Sequence, residues 1–438
     1  MRRSPRRAAS LRRGAATALA VVGLVAACTS ARRRATTTVS SGGDVERPIR
    51  GARDASERTV RILLASRQPS VRLTAEGGWR MFAPDGTTLV ALPQPGERWI
   101  LEQDGRLVSA RRDDSHAVPL RESPIVVRPL DVGGTIGFNG KRWRGELLVS
   151  VAEEGLIVVN RLRMDDYLRG VVPLEIGTTS PADAAAVEAQ AITARSYAVT
   201  RIGDGRRPYD MTATTQDQVY GGANVETRIG NASIDATHGL VLLYGGAVVN
   251  APYHANCGGS TAAPQDSWRA SAEPFLQRVS DRIPGTDRYY CDQAPRFRWT
   301  RTFGADELRE AVARYVRALP GGAGGIGAVT QVAVSAVTPA GRVGTLTVDT
   351  DRGRWALRGN EIRSALRSPA GELLYSTYFS VDVVPGRSGV QSLILKGGGN
   401  GHGVGMCQSG AIGRARAGQD VRTILRTYYP GTTVGTIE

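Results

Sequence analysis

Apolar and polar residues alternate through much of the first third of the chain. Val60-Arg61-Ile62-Leu63-Leu64 is followed by short apolar runs broken at Ala83-Pro84-Asp85-Gly86 and Glu102-Gln103-Asp104-Gly105. A period of two sets one face of a strand in a core, and Pro, Asp and Gly at the breaks supply tight turns. Residues 59–124 are therefore expected to form a small antiparallel β unit. The pattern continues from Ile125, where Arg144-Gly145-Glu146-Leu147-Leu148-Val149 and Leu156-Ile157-Val158-Val159-Asn160 predict a hairpin turning at Glu153-Glu154-Gly155.

The period then changes. Ser180-Pro181-Ala182-Asp183 combines a cap residue with proline at the first helical position and predicts a helix to about Thr200. Val187, Ala191, Ala194 and Ala198 fall on one face, small enough for close approach to a sheet. Gln190 and Arg195 lie off that face, available to a cleft. Further on, a helix over 305–318, strands over 330–338 and 344–349 and a short helix over 360–366 make an inserted second lobe of about 300–392. Leu393-Ile394-Leu395 is then expected to return the chain to the first lobe. Segments 411–417 and 420–425 are helical, and the last helix stops at Pro430-Gly431. The expected fold class is α+β: a β-rich domain, 125–438, with a few helices and the inserted lobe, preceded by the small β unit.

The chain's 438 residues exceed one typical domain. The first 28 read as an export signal, with Arg2, Arg3, Arg6, Arg7, Arg12 and Arg13, then an apolar run from Ala15 to Ala27. That run is too short to span a bilayer, which needs roughly 20 apolar residues. Val25-Ala26-Ala27-Cys28 resembles the bacterial lipobox, so Cys28 is the expected lipidation site and the protein an exported, membrane-anchored lipoprotein facing the periplasm or cell wall. Residues 29–58, rich in Thr, Ser, Gly and Arg, read as a flexible tether.

Net charge is +15, with Lys141 and Lys396 the only lysines, and removal of the signal leaves +9. An exported basic protein meets few nucleic acids. Its polyanions are the cell wall and anionic lipid.

Candidate chemistry sits in three segments. Gly170-Val171-Val172-Pro173-Leu174-Glu175 places a carboxylate where an apolar strand is expected to end. Burial there raises its pKa and suits a general acid, while a helix cap or an ion pair with Arg195 is the structural alternative. Residues 397–410 hold seven glycines, which let backbone amides approach a ligand, and present His402 and Gln408 as polar groups of a tight loop. Cys407 beside His402 admits a cysteine hydrolase, although a nucleophile and its base normally come from separate elements. His254, Cys257 and Cys291 have the residue types of a zinc site, and Cys257–Cys291 could equally be a disulfide in an oxidising compartment.

Four segments carry a family resemblance: Asp166 to Glu175, Glu188 to Ala198, Tyr253-His254-Ala255-Asn256-Cys257-Gly258-Gly259, and Gly401 to Ala411. In this order and over roughly Ile125 to Tyr429 they resemble the SpoIID/LytB family of stage II sporulation protein D and the amidase enhancer. The resemblance implies a SpoIID-like catalytic domain and a lytic transglycosylase that cuts MurNAc–GlcNAc bonds in peptide-stripped peptidoglycan. Glu175 falls at the family's catalytic glutamate and Arg195 at a position implicated in activity; from their own placement, Gln190, His402 and Gln408 are the expected substrate contacts. The alternative it implies is a non-catalytic, glycan-binding activator of a cell-wall amidase. No cofactor is required; the resemblance implies structural zinc near His254 and Cys257 in one branch, to which Cys291 could add a third ligand unless it forms the Cys257–Cys291 disulfide. Glycan strands, an amidase and the membrane through its lipid anchor are the expected partners.

Overall fold

A computed structural model describes residues 58–113, 117–203, 205–319 and 325–437. The signal, Cys28 and the tether up to residue 57 lie outside the described residues.

Residues 59–163 form two packed sheets rather than a small unit followed by a second domain. The first sheet runs, edge to edge, through Met211–Thr212, Thr59–Gln68, Gly155–Arg163, Glu146–Ala152, Ile125–Pro129, Trp79–Phe82 and Leu89–Ala91. The second contains Lys141–Trp143, Ile136–Phe138, Ser70–Thr74, Arg98–Asp104, Leu107–Arg112 and Ala117–Glu122. Both sheets mix strands from either side of residue 124, which corrects the expected boundary there. The strand Thr59–Gln68 pairs antiparallel with Gly155–Arg163, Ile62 opposite Asn160. Its alternation has the predicted consequence: Val60 and Ile62 are fully buried, while Arg61 reaches Asp210 at 2.6 Å. The hairpin also forms as expected, Ala152 pairing with Gly155 across a turn at Glu153-Glu154.

Helix α1 (Met164–Arg169) follows this sheet directly, and α2 (Val172–Ile176) follows α1. Glu175 thus sits on a helical turn, not at a strand end. Gly177 closes that turn at φ 63°, its N–H donating to the Pro173 carbonyl. Left-handed backbone of this kind favours glycine.

Helix α3 (Ala184–Val199), entered through a 3₁₀ turn at Pro181–Asp183, is buried on nearly every side rather than along one stripe. It packs against α4 (Arg228–Ala236) and against the C-terminal helices. A helix enclosed all round is a core element. Its many alanines allow that enclosure, and Arg195 within it requires a buried counter-charge.

After α4, the strand Leu240–Tyr244 pairs with Thr433–Thr436, so the chain continues past Pro430-Gly431 and closes this sheet. Tyr253–His254 then pairs in parallel with Met406–Cys407 across 150 residues of sequence. The short α5 (Pro264–Ser267) follows.

A second core, containing Phe303, Leu308, Val312, Val316, Leu346, Leu393 and Leu395, lies within residues 299–397. It is built from α6 (Ala305–Arg317), α7 (Glu361–Ala365) and two three-stranded sheets. The strand Gly389–Gly397 pairs with Trp299–Gly304, so Leu393 and Leu395 belong to this lobe and the return to the first core begins only at the glycine loop. Helix α8 (Gln408–Arg416) and helix α9 (Val421–Tyr428), the latter capped by Asp420 on the Thr423 N–H, complete the first core. The architecture is α+β. No helix among the described residues is long and apolar enough to cross a membrane.

Candidate functional site

The two distant segments meet at Glu175. Its Oε1 accepts the Val219 N–H at 2.9 Å. Tyr253, in the short parallel ladder, and Gln408, the first residue of α8, donate side-chain hydrogen bonds to the same carboxyl. Burial pushes the Glu175 pKa up, and these three bonds pull it partly back. A carboxyl held this way retains its proton above the ordinary range and has donors in place for the anion it leaves.

The donors are themselves fixed. Gln218, fully buried, donates to the Tyr253 hydroxyl at 3.0 Å and accepts from the Tyr167 hydroxyl at 3.1 Å. A chain of hydrogen bonds thus runs Tyr167–Gln218–Tyr253–Glu175. Sequence reasoning missed Tyr167, Gln218 and Val219. Tyr253 stood inside a matched segment, but its hydroxyl could be assigned no role before its distance to a carboxylate was known.

The structure brings Gln190 and Gln408 to this centre. Gln408 Nε2 donates to Gln190 Oε1 at 3.2 Å, while Gln190 Nε2 is buried without a hydrogen-bond partner. Gln190 is fully buried, so it supports Gln408 rather than lining an open cleft.

Arg195 is not at this centre. Its guanidinium, fully buried, donates to Asp165 Oδ1 at 2.8 Å and to the Leu240 carbonyl at 3.1 Å, and Asp165 Oδ2 meets His238 Nδ1 at 2.7 Å. The expectation that Arg195 faces the cleft is corrected: it ties α3 to α1 and to the strand beginning at Leu240.

His402 also departs from expectation. Its Nδ1 accepts the Val404 N–H at 3.1 Å, which leaves the proton on Nε2 to donate to the Tyr253 carbonyl at 2.8 Å. Both ring nitrogens are thus committed to backbone, and the ring packs 4.7 Å from Trp268. Burial and the nearby Arg363 charge lower its pKa to about 3, so it is neutral. His402 braces the loop through both ring nitrogens.

The glycines around it are sterically required. Gly405 has φ 71°, and a Cβ there would lie 1.9 Å from the Pro252 carbonyl oxygen.

The sulfur-bearing residues assemble differently from the expected set. Cys257 and Cys291 are free thiols with sulfurs 3.5 Å apart, joined by Cys407 and Asp281, and the four ligand atoms lie within 4.8 Å of one another. His254 does not join these four: its Nδ1 donates to the Val404 carbonyl at 3.1 Å, its ring faces His402, and its Nε2 is buried without a hydrogen-bond partner. The nucleophile reading of Cys407 also loses its support. The thiol is fully buried, accepts the N–H groups of Cys257 and Gly410, and burial raises its pKa.

A family model described as stage II sporulation protein matches residues 152–244, and a domain of unknown function matches 282–405. An uncharacterised protein of Brachyspira hyodysenteriae is 31% identical over 300 residues, covering 68% of this chain and 73% of that protein. The amidase enhancer of Bacillus subtilis is 27% identical over 289 residues, 61% of this chain and 40% of the enhancer. Stage II sporulation protein D of the same species is 25% identical over 292 residues, 63% and 75%. The stage II sporulation match contains Glu175, α3 and the Gln218–Val219 segment that closes on it, and the relatives match over some 300 residues, well beyond that segment's length: the chain belongs to the SpoIID/LytB family.

Proposed function

We propose that this protein is an exported lytic transglycosylase of peptidoglycan with Glu175 as its single general acid and base. The observation that carries the reading is the half-buried Glu175 carboxyl, its pKa raised by burial and its oxygens met by Val219, Tyr253 and Gln408. Hydrolytic glycosidases usually need two carboxylates, the second to activate water or to attack. A lytic reaction needs one. Glu175 gives its proton to the oxygen of the departing GlcNAc as the C1–O bond of MurNAc breaks. The 6-hydroxyl of the same MurNAc then bonds to C1, and its proton passes to the Glu175 carboxylate. The product is a 1,6-anhydro sugar, and the acid is regenerated without water. Tyr253 and Gln408 stabilise the carboxylate between the two proton transfers.

Substrate would be glycan from which stem peptides have been removed, since its lactyl carboxylates suit a basic protein. The location would be outside the cytoplasm, held to a membrane by lipid on Cys28. Incubation of the mature protein with intact and amidase-treated peptidoglycan, followed by mass spectrometry, tests this. Anhydromuramyl products are expected from the treated glycan, with a loss of about 10²–10⁴-fold in Glu175→Gln. Unchanged release by Glu175→Gln overturns the assignment.

The relative named amidase enhancer supports a second reading, in which the same cleft binds glycan and activates an amidase without cutting. It expects sacculus binding without product release, and amidase stimulation that survives Glu175→Gln.

A further inference from the structure

Four ligand atoms of matching chemistry converge behind the active centre, on residues the glycan reaction does not use. Cys257, Asp281, Cys291 and Cys407 are each buried, and come from segments up to 150 residues apart. We propose that these four residues hold a structural Zn²⁺ ion.

The geometry fits such an ion. Tetrahedral zinc with Zn–S bonds of about 2.3 Å places sulfurs roughly 3.8 Å apart, and the Cys257 and Cys291 sulfurs are 3.5 Å apart. Three sulfurs and one carboxylate oxygen complete four-coordination and leave no open position, as in structural rather than catalytic zinc sites. Backbone N–H groups point at the sulfurs: Gly259 N at 3.4 Å from Cys257, and Cys257 N and Gly410 N at 3.2 and 3.3 Å from Cys407. Such donors favour thiolate over thiol.

Asp281 is oriented for the task. Its Oδ1 accepts from the Tyr428 hydroxyl at 2.6 Å and from Arg414 Nη2 at 3.0 Å, which leaves Oδ2 toward the cluster, 3.2 Å from the Cys257 sulfur. Gly410 makes this approach possible, because a Cβ there would lie 2.1 Å from Asp281 Oδ2. Outer hydrogen bonds of this kind hold metal ligands in place.

Charge supplies an independent argument. Zinc with three thiolates and a carboxylate carries two net negative charges. Two buried guanidiniums adjoin the cluster: Arg414 on Asp281, and Arg342, whose Nη2 donates to the Cys257 carbonyl at 3.1 Å. Nε and Nη1 of Arg342 have no hydrogen-bond partner. A buried cation is costly, and the Asp266 carboxylate offsets Arg342 only in part, with Cys257 and Cys407 as its charge-bearing neighbours on the cluster side. With the metal bound, the cluster's negative charge faces these guanidiniums.

The ion would also set the geometry beside Glu175. Cys407 precedes Gln408, and Cys257 lies four residues after Tyr253, so one metal would pin both side-chain donors of the acid. Zinc binding at these four residues needs no glycan chemistry.

The test is elemental analysis of the purified mature chain, with thiol titration in denaturant before and after zinc release to a chelator. Roughly one zinc per chain is expected, as a closed four-ligand site requires. Three thiols should become reactive only after release, and the unfolding temperature should fall on chelation. Cys407→Ser and Asp281→Asn should reduce zinc content, and Co²⁺ replacing Zn²⁺ in the wild-type chain should show thiolate-to-metal charge transfer. A wild-type chain without zinc, or with a different metal, overturns the proposal, as does a Cys257–Cys291 disulfide in unreduced peptide mapping. Each wild-type readout stands whether or not the variants fold, and whether or not the protein cuts glycan.

Discussion

The Glu175 carboxyl is protonated to higher pH than an ordinary glutamate because burial opposes its charge. As the acid must carry a proton when substrate binds, kcat/KM for glycan cleavage should be flat at low pH and fall as pH rises through that raised pKa. Tyr253→Phe removes a donor that stabilises the anion, so the falling limb should move to higher pH while the maximum rate drops. A pH–rate profile of the two proteins checks both, and an unmoved limb would separate Tyr253 from the carboxyl. The imidazoles have the opposite sign. Burial, the facing His402 ring and the charges of Arg342 and Arg363 hold the His254 pKa well below its ordinary 6.5. Above pH 6.5 the ring is neutral folded or unfolded. Below it the unfolded chain takes the proton first, and stability is lost at up to about 1.4 kcal/mol per pH unit. Urea midpoints at pH 7 and pH 5 should differ less in His254→Asn than in the wild type.

Helix α3 was legible in outline but not in role. Its start at Pro181 and its end near Thr200 follow from local chemistry, while its complete enclosure depends on α4, α8 and α9, which lie far away in sequence. Arg195 carries the consequence. Arg195→Ala should cost about 1.5–3 kcal/mol in urea unfolding, the worth of hydrogen bonds to a charged group, because Asp165 loses its buried guanidinium partner and keeps His238. Folded Arg195→Ala protein should keep its kcat, and a kcat loss beyond the folded fraction would restore Arg195 to the catalytic centre. In the glycine loop, Gly405→Ala forces a Cβ onto the Pro252 carbonyl at a left-handed φ, and a loss of roughly 3 kcal/mol is expected from the same denaturation experiment. Seven glycines announced an unusual backbone, but they did not say that it packs against Pro252, Arg342 and Asp281.

Across the whole molecule, strands on both sides of residue 124 share two sheets and one core. A chain beginning at Ile125 would lose Thr59–Gln68 and expose the edge of Gly155–Arg163, the strand that leads into α1. Such a chain should be unfolded by circular dichroism and amide dispersion, and a folded product would show that residues 59–124 are dispensable to the site. The lobe of residues 299–397 has its own core, and its hydrophobic periodicity marked it from the sequence, apart from the strand Gly389–Gly397. Periodicity, caps and turn residues are local, so the sequence by itself determined the strands, α3 and α6, and the matched segments that place Glu175. Pairings and burial are set by elements brought together across the whole chain. Only the tertiary structure decided that Tyr253 and Gln408 hold Glu175, that Arg195 and His402 are braces, and that Asp281 and Cys407 rather than His254 join Cys257 and Cys291. Most of those contacts join groups far apart in the chain, as Tyr253 and Gln408 to Glu175, Arg195 to Asp165, His402 to the Tyr253 carbonyl and Cys407 to Cys257, and no local pattern encodes such a distance.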